Sequence, residues 1–433
     1  MFGEGGVFMC FRKKICDLIE DRDDLNFTDV ANKMGVSKQY LQKFKNQGNI
    51  SFPNLLRLAS VVSTKSEELS MFLHEWCVEL DSTEAIKHSF EYAALVRDKV
   101  LLNKLLEKHK NESGTVAEYV NVYGVLYKYM NDEISGTEII KCLKMYNRPS
   151  DNMLNILIDI MKCYDYYHQK KFNAMFDLVD EIEKELISID ESDRKMFLKE
   201  CYMYRLAEVF SPLNLQRKNL ESSRYYAKLL IEANLCTKTV SDALYLLGMS
   251  YLIDDEELCL EYLQESYNLS KKVNDASIEA AARYNLDVVK MYLNLSLPLD
   301  SDVRLINFQN NPTDEDSRDG LKEILKSNGE RDFLRLFLAI TDTEPNRIYE
   351  CFKEFLVQSN YLFVSLVAKE INRRGDNSLL VQQMIDYNMD KGVDENEKFT
   401  LVLCAFSMLA VSSVSYNIIK KGSFQSVEIK PGG

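Results

Sequence analysis

The chain has 433 residues, of which 46% are hydrophobic and 28% are charged, with only 7 prolines and 16 glycines. This composition excludes a disordered or collagen-like protein, and so few helix breakers favour helices joined by short turns. The formal net charge of −14 argues, taken alone, against a nucleic-acid partner, because phosphate repels an acidic surface.

Residues 1–65 differ in charge from the rest of the chain. They hold ten basic and seven acidic residues, a net charge of +3, whereas the remainder holds 43 basic and 60 acidic residues, or −17. Residues 30–65 contain six basic residues and no acidic one. A basic module on an acidic body is typical of a nucleic-acid-binding protein that has a second function elsewhere.

Short helices follow one another in this basic module. Residues 11–20 form a first amphipathic helix, and Thr28 is expected to cap the second. Gly35 supplies a tight turn, Ser37 caps a third helix, and Pro53 begins a fourth. This order of caps and turns predicts a compact helical domain.

The segment 29–59 resembles the helix-turn-helix of phage-repressor-like regulators, through Gly-Val-Ser at residues 35–37 and Leu41 three residues before Phe44. The resemblance implies that residues 37–46 form the recognition helix in the major groove. Glutamines there suit adenine edges, and lysines suit guanine edges or phosphates. The expected DNA-binding residues are Ser37, Lys38, Gln39, Tyr40, Gln42, Lys43 and Lys45. The alternative is a small helical cap with a solvated basic face.

From residue 80 onward, pairs of apolar helices recur, with second helices expected to begin near residues 172, 220 and 258. The third copy matches the tetratricopeptide pattern best, with Leu-Gly at 247–248 and Tyr251 three residues later. Stacked pairs bury a core that one pair cannot bury alone, and they leave a curved inner groove. The sequence therefore predicts an all-α fold, an N-terminal helix-turn-helix domain followed by a tetratricopeptide-like α-solenoid.

Composition along the chain suggests five segments. Charge and a proline at 311–318 interrupt the helical periodicity, so a loop is expected around them. The predicted segments are the DNA-binding domain 1–65, the helical repeats 66–300, a loop or seam 301–320, C-terminal repeats 321–397, and an apolar stretch with a polar tail 398–433.

Residues 399–419 carry no charge. We favour a buried last helix that closes the array or forms a dimer seam, with no membrane partner, although a stretch of this length can span a bilayer. A further interpretation is that 398–433 resembles the precursor of a signalling peptide. Residues 427–433 would then be a tethered ligand for the protein's own groove.

The ten cysteines and four histidines show no zinc-ligand spacing, so we expect reduced, buried cysteines, no metal and no cofactor. The sequence shows no nucleophile–base pair or phosphate-binding glycine loop, which makes an enzyme the least favoured class. No basic, apolar leader is visible at residues 1–14, and a cytoplasmic protein is expected.

A repressor-type helix-turn-helix followed by tetratricopeptide-like repeats resembles the RRNPP superfamily of peptide-sensing regulators. Within it, residues 219–228, 246–251 and 89–94 are similar to the arbitrium receptors of Bacillus phages. The resemblance implies a homodimer that binds operator DNA and responds to a short linear peptide in the repeat groove. The implied role is the lysis–lysogeny decision.

The same resemblance implies the peptide-binding residues. A family position that holds Asn is matched by Glu208, with Tyr204 one turn before it. A basic family position is matched by Lys238, which suits a peptide carboxylate. Asp242 and Tyr245 share the face of Lys238 if their helix begins near residue 239.

The leading rival from another functional class is a protein-interaction scaffold. The response-regulator inhibitors of the same superfamily carry a helical bundle in place of the DNA-binding domain. Replacing Lys38 and Lys43 discriminates the two, because only a DNA-binding protein depends on them for DNA affinity.

Overall fold

The computed structural model describes residues 11–189, 193–273, 275–326 and 331–387. All regular structure within these ranges is helical, which confirms the predicted all-α class. None of the helices in these ranges is long and apolar enough to cross a bilayer. The interpretations of 399–419 and 427–433 lie outside the described residues.

The N-terminal helices follow the predicted order. They are α1 (Phe11–Glu20), α2 (Phe27–Met34), α3 (Lys38–Gln47), α4 (Phe52–Val62) and α5 (Ser66–Trp76). Gly35 has φ of 68°, in the left-handed region, and ends α2. The Ser37 hydroxyl accepts a hydrogen bond from the Tyr40 amide at 3.2 Å and caps α3. The helix-turn-helix is therefore built from the local signals that predict it.

The cap of α2 differs from the prediction. Asn26, and not Thr28, precedes the helix, and its side-chain oxygen accepts from the amides of Thr28 and Asp29 at 2.9 and 3.0 Å. One Asn carbonyl satisfies two unpaired amides of the first turn, which favours the earlier start.

The body consists of stacked helix pairs. Its helices are α6 (Thr83–Leu95), α7 (Lys99–His109), α8 (Gly114–Met130), α9 (Ile139–Leu143), α10 (Asn152–His168), α11 (Phe172–Ser188), α12 (Asp193–Gln216), α13 (Leu220–Ala233), α14 (Thr237–Tyr251), α15 (Glu256–Ser270) and α16 (Ala276–Tyr292). Helices α11, α13 and α15 begin at residues 172, 220 and 256, close to the predicted positions. The helices α10, α12, α14 and α16 contact one another in turn and form the inner layer.

The C-terminal helices are α17 (Val303–Asn310), α18 (Glu315–Lys326), α19 (Asp332–Ile340), α20 (Arg347–Val357), α21 (Tyr361–Arg373) and α22 (Leu379–Ile385). Within the predicted loop or seam 301–320, α17 and the start of α18 flank a turn at residues 311–314, and the division of the chain at this seam stays a prediction. Two of its acidic residues cap helices: Asp302 accepts from the Arg304 amide and Asp314 from the Ser317 amide, both at 2.9 Å.

The hydrophobic core divides into two clusters along the chain. The first runs from Ile15 to Leu247, and the second from Leu215 to Val381. In the first cluster, the ring of Phe52 on α4 lies 5.6 Å from Tyr92 on α6 and 5.2 Å from Phe197 on α12, between centroids. The N-terminal helical module thus shares its core with the repeats, and the boundary at residue 65 stays a prediction.

Candidate nucleic-acid and ligand sites

Helix α3 presents a polar face to solvent. Leu41 and Phe44 are 1% and 0% exposed, as predicted, and they anchor the opposite face in the core. The exposed residues of the predicted DNA-binding set are Ser37, Lys38, Gln39, Gln42 and Lys43. Because residues 30–65 contain no carboxylate, this face has no acidic neighbour in its own segment to repel a phosphate.

Tyr40 and Lys45, both expected to contact DNA, also make contacts with neighbouring helices. The Tyr40 hydroxyl accepts a hydrogen bond from the Asn54 side-chain amide at 2.9 Å. The Lys45 ammonium forms an ion pair with Glu20 on α1. Both residues are partly exposed and position α3 against α4 and α1, and their contact with DNA stays a prediction.

A cavity of about 330 Å³ opens in the inner layer of the repeats. Helices α10, α12 and α14 form most of its wall, and single residues of α8, α11, α13 and α16 and Arg97 after α6 complete it. Its charged and polar lining residues are Arg97, Tyr129, Tyr164, Tyr167, His168, Glu208, Lys238, Thr239, Asp242, Tyr245 and Asn285. The structure therefore brings four of the five predicted peptide-binding residues to one cavity.

Tyr204 is the exception. It lies one turn before Glu208 on α12, but its side chain is 0% exposed and does not line the cavity. Burial raises the pKa of its hydroxyl well above the ordinary value. Because its side chain is enclosed, Tyr204 is a packing residue, and the prediction that it contacts a ligand is corrected.

Glu208 is held by hydrogen bonds on both carboxylate oxygens. Oε1 accepts from the Thr239 hydroxyl at 3.0 Å, and Oε2 accepts from the Tyr164 hydroxyl at 3.3 Å. The Arg97 guanidinium lies 3.6 Å from Oε1. Burial lowers the pKa of Arg97, but the nearby Glu208 carboxylate, together with Tyr164 and Cys236, outweighs burial and the pKa is raised. Glu208 is thus a fixed anion with its own cation.

Arg97 retains unused donor capacity. Its Nε is buried and has no hydrogen-bond partner within the described residues, and the ion pair with Glu208 is long. The residue follows α6 in a left-handed conformation, with φ of 60°, so the turn directs the side chain toward α12. A buried N–H without an acceptor is costly, and an anionic or carbonyl group in the cavity would satisfy it.

A second ion pair joins Lys238 and Asp242, which lie one turn apart on α14. The Asp242 carboxylate raises the pKa of Lys238. Opposite them, His168 Nε2 lies 3.1 Å from the Tyr129 hydroxyl, and burial lowers the pKa of His168. A neutral imidazole and two ion pairs give a cavity that offers donors and acceptors with little net charge.

Sequence reasoning missed Arg97, Tyr129, Tyr164 and His168. None of the four belongs to a motif, and Arg97, Tyr129 and His168 lie in a turn or near helix ends. Only the stacking of repeats brings them to α12 and α14. The described residues contain no group of three side chains suited to hold a metal ion.

Comparison with curated proteins finds relatives from a Bacillus phage and from a prophage of Bacillus subtilis. The AimR transcriptional regulator of Bacillus phage SPbeta is 21% identical over 362 residues, which is 80% of this chain and 91% of that protein. The SPbeta prophage-derived uncharacterized protein YopK of Bacillus subtilis strain 168 matches with the same identity and coverage.

Solved structures of phAimR share the fold. The selenomethionine phAimR structure superposes with a TM-score of 0.58 at 18% identity, over 86% of this chain and 99% of that one. The phAimR–ligand structure gives a TM-score of 0.63 at 16% identity, over 76% of this chain and 98% of that one. The predicted helix-turn-helix and solenoid arrangement fits that fold.

The family described as "AimR transcriptional regulator-like" matches residues 67–373. Its members are described as transcriptional regulators and not as enzymes, in agreement with the sequence prediction. Since the match extends over well more than half of the sequence, the chain belongs to the AimR transcriptional regulator-like family.

Proposed function

We propose that the chain is a DNA-binding regulator whose DNA affinity is controlled by a short linear peptide bound in the inner cavity. We further propose that it acts as a homodimer on operator DNA, in a phage lysis–lysogeny decision. The observation that carries the DNA-binding part is the exposed, acid-free face of α3. The family match begins at residue 67, so support for DNA binding comes from the residues of the N-terminal module themselves.

The α3 face supports DNA binding through both charge and geometry. Lys38 and Lys43 are exposed and suit phosphates or guanine edges, while Gln39 and Gln42 are exposed and suit adenine edges. The Ser37 cap puts the start of α3 at the surface, where amides at a helix N-terminus favour a phosphate. A homodimer would place two such helices in successive major grooves.

The cavity supports a peptide ligand. A peptide main chain presents N–H donors and C=O acceptors together, and the cavity offers acceptors on Glu208 and Asp242 and donors on Arg97 and Lys238. Its volume of about 330 Å³ is at the lower end of the roughly 300–1,000 Å³ of ligand sites, which suits part of a short peptide. The phage origin of the AimR transcriptional regulator of phage SPbeta supports the lysis–lysogeny role.

A gel-shift assay on DNA flanking the gene tests DNA binding. We expect the pair Lys38→Ala and Lys43→Ala to weaken binding about tenfold or more, because both suit contacts with DNA. The matched control is the pair Lys141→Ala and Lys144→Ala, which removes two exposed lysines from the body. Equal binding by the two double variants, or no binding by the wild type, would favour the scaffold.

A library of short synthetic peptides tests the ligand. Peptides that change the gel shift of the wild type should fail to change that of Glu208→Ala, whose cavity loses an anion and two hydrogen-bond acceptors. The control is Glu107→Ala, which removes an exposed carboxylate far from the cavity lining. If the effective peptides act equally on all three proteins, the cavity is not their site.

A further inference from the structure

Helix α1 is bonded to the last turn of α3, the predicted recognition helix. Arg12 Nη1 donates a hydrogen bond to the Asn46 carbonyl at 2.5 Å. The ammonium of Lys45, one residue earlier in α3, lies 2.5 Å from a carboxylate oxygen of Glu20. A cation on a carbonyl near the end of a helix satisfies an acceptor that the helix itself leaves unpaired. The position of α1 therefore determines how the end of α3 is held.

An ion pair connects α1 with α5. Lys14 Nζ lies 2.5 Å from Glu75 Oε1, and the two side chains are 43% and 46% exposed. An exposed pair contributes little to stability, because water competes for both charges. The pair still fixes a contact between two helices at a point two residues from Arg12. Such a contact can loosen while both helices stay folded.

The next contact joins α5 to the turn before α7. His74 precedes Glu75, and its Nε2 lies 2.5 Å from Asp98 Oδ2, with side chains that are 20% and 22% exposed. Because an ionised carboxylate can only accept, the Nε2 hydrogen is donated to Asp98. The other Asp98 oxygen accepts from the Leu101 amide at 2.9 Å and caps α7. Asp98 thus holds α5 and the start of α7 together.

The opposite face of α5 is packed in the first core cluster. Leu73 and Trp76 are buried there, and Trp76 stacks on Phe72 with 4.9 Å between ring centroids. A close-packed helix shifts as one body, because its core neighbours resist local bending. A displacement of His74 therefore also displaces Glu75.

The turn that carries Asp98 also belongs to the cavity. The preceding residue, Arg97, lines the cavity and has φ of 60°, a conformation that is unfavourable for a residue other than glycine. Its Nε–H is buried without an acceptor among the described residues. A ligand group that accepts this hydrogen would favour one orientation of Arg97, and with it one orientation of the adjoining Asp98.

We infer that His74 couples the ligand cavity to the predicted recognition helix. Coupling between two sites is carried by contiguous contacts that both sites influence. Here the contacts run, in order, through Arg97, Asp98, His74, Glu75, Lys14, Arg12 and Asn46. His74 is a positioning residue, since it lies neither in the cavity lining nor in α3. The inference rests on the proposed function, because it takes the cavity as the ligand site and α3 as the DNA-binding helix.

Hydrogen exchange of the full chain, read by mass spectrometry, tests this series of contacts without DNA or peptide. His74→Phe keeps a ring and removes the donor to Asp98, whereas Arg97→Gln alters the turn itself. Each variant should speed amide exchange in α1 and in the last turn of α3 about threefold, the scale of one exposed ion pair. The double variant should exchange no faster than either single variant, because both changes act on the same contacts.

The double variant decides between one series of contacts and two separate ones. Multiplied effects, about ninefold, would mean that Arg97 and His74 act on α1 independently. Wild-type exchange in α1 of either single variant, or an equal rise along the whole chain, would also overturn the inference. His74→Gln is the conservative variant, since its side-chain amide can donate to Asp98, and it should exchange like the wild type.

Peptide titrations test whether these contacts carry regulation. The synthetic peptides that change the wild-type gel shift should bind Lys14→Met with an unchanged Kd in calorimetry, since Lys14 lies outside the cavity lining. Their effect on DNA affinity should be about threefold smaller in this variant. Lys13→Met, which changes the exposed neighbouring lysine, is the matched control and should respond like the wild type.

The two measurements distinguish failure of the coupling from failure of the proposed function. An undiminished peptide effect in Lys14→Met would overturn the coupling through His74. Peptides that all leave the wild-type gel shift unchanged would instead reject the proposed function, and the exchange result would still stand.

Discussion

Glu91 on α6 and Arg205 on α12 form an ion pair in the core, with 2.6 Å between Oε1 and Nε and side chains that are 0% and 2% exposed. The second Glu91 oxygen accepts a hydrogen bond from the Tyr123 hydroxyl at 2.6 Å. Two opposite charges with further hydrogen bonding satisfy each other at a depth where either one alone would be strongly unfavourable.

The same two helices lie between the cavity and the N-terminal helical module. Arg205 is one turn before Glu208 on α12, and α6 ends two residues before Arg97. Tyr92, near the same end of α6 as Arg97, and Phe197, near the start of α12, both pack on Phe52 of α4. The Glu91–Arg205 pair thus links the two helices that lie between the cavity and the N-terminal helices.

Arg205→Met is predicted to lower the free energy of unfolding by about 3–5 kcal/mol, because it leaves a buried carboxylate without its cation. Urea denaturation followed by circular dichroism measures the change. The control is Lys110→Met, whose partner Glu107 is as exposed as the lysine itself, and it should change stability little. Similar losses in the two variants would mean that the buried pair contributes no more than a surface pair.

Gly248→Ala tests the close approach of α14 and α15. A Cβ at this position would lie 2.9 Å from the Cys259 carbonyl oxygen and 3.0 Å from Leu263 Cδ1. We expect a loss of about 1–3 kcal/mol in thermal unfolding, as for overpacking. Gly124→Ala is the matched control, since a Cβ there meets nothing within 4 Å and should stabilise α8 by about 0.5–1 kcal/mol. A neutral Gly248→Ala would contradict the backbone contact.

The salt dependence of DNA binding counts the phosphate contacts of α3. If Lys38 and Lys43 both contact phosphates, replacing each by Ala should reduce the slope of log affinity against log salt by about 0.9. Fluorescence anisotropy with labelled operator DNA at several salt concentrations measures the slope. Gln39→Ala carries no charge change and should keep the slope while altering sequence preference. An unchanged slope in the lysine variants would place the phosphate contacts elsewhere.

Local signals predicted the helix-turn-helix well. Gly35, Ser37, Leu41 and Phe44 act over one or two turns of chain, so sequence spacing alone determines their roles. The exposure of Tyr40 could not be predicted in the same way, because it depends on Asn54 of another helix. Likewise, the charge of 301–320 predicted a loop, because the helix-capping hydrogen bonds of Asp302 and Asp314 are a property of the folded backbone.

The cavity residues likewise fall into two groups: those that helical spacing predicts and those that only the packing of repeats brings together. Lys238 and Asp242 were placed on one face by helical spacing, whereas Arg97 and Tyr129 reach the cavity only through the stacking of repeats. Tyr204 has the correct helix and register but points into the core, since α12 is packed on several sides. Sequence periodicity predicts the inner layer, and the packing between repeats decides which residues line it.

The buried thiols predict a loss of stability at alkaline pH. Burial raises the pKa of four cysteines to about 12, namely Cys77, Cys163, Cys259 and Cys351. Because the folded state keeps these protons longer than the unfolded state, stability is complete below about pH 9 and falls as the pH rises toward 12. The loss should reach about 1.4 kcal/mol per thiol at pH 10.

Urea unfolding midpoints at pH 8 and pH 10 measure this loss, and thiol labelling at pH 8 with a disulfide reagent locates it. The half-buried Cys142 and Cys236 should react in the native protein before the four buried thiols do, since the reagent needs both a thiolate and access. Cys351→Ala should reduce the loss of stability between pH 8 and pH 10 by the contribution of one thiol, about 1.4 kcal/mol. If the midpoint were equal at both pH values, or if the four thiols reacted as fast as Cys142, their burial would not restrict deprotonation.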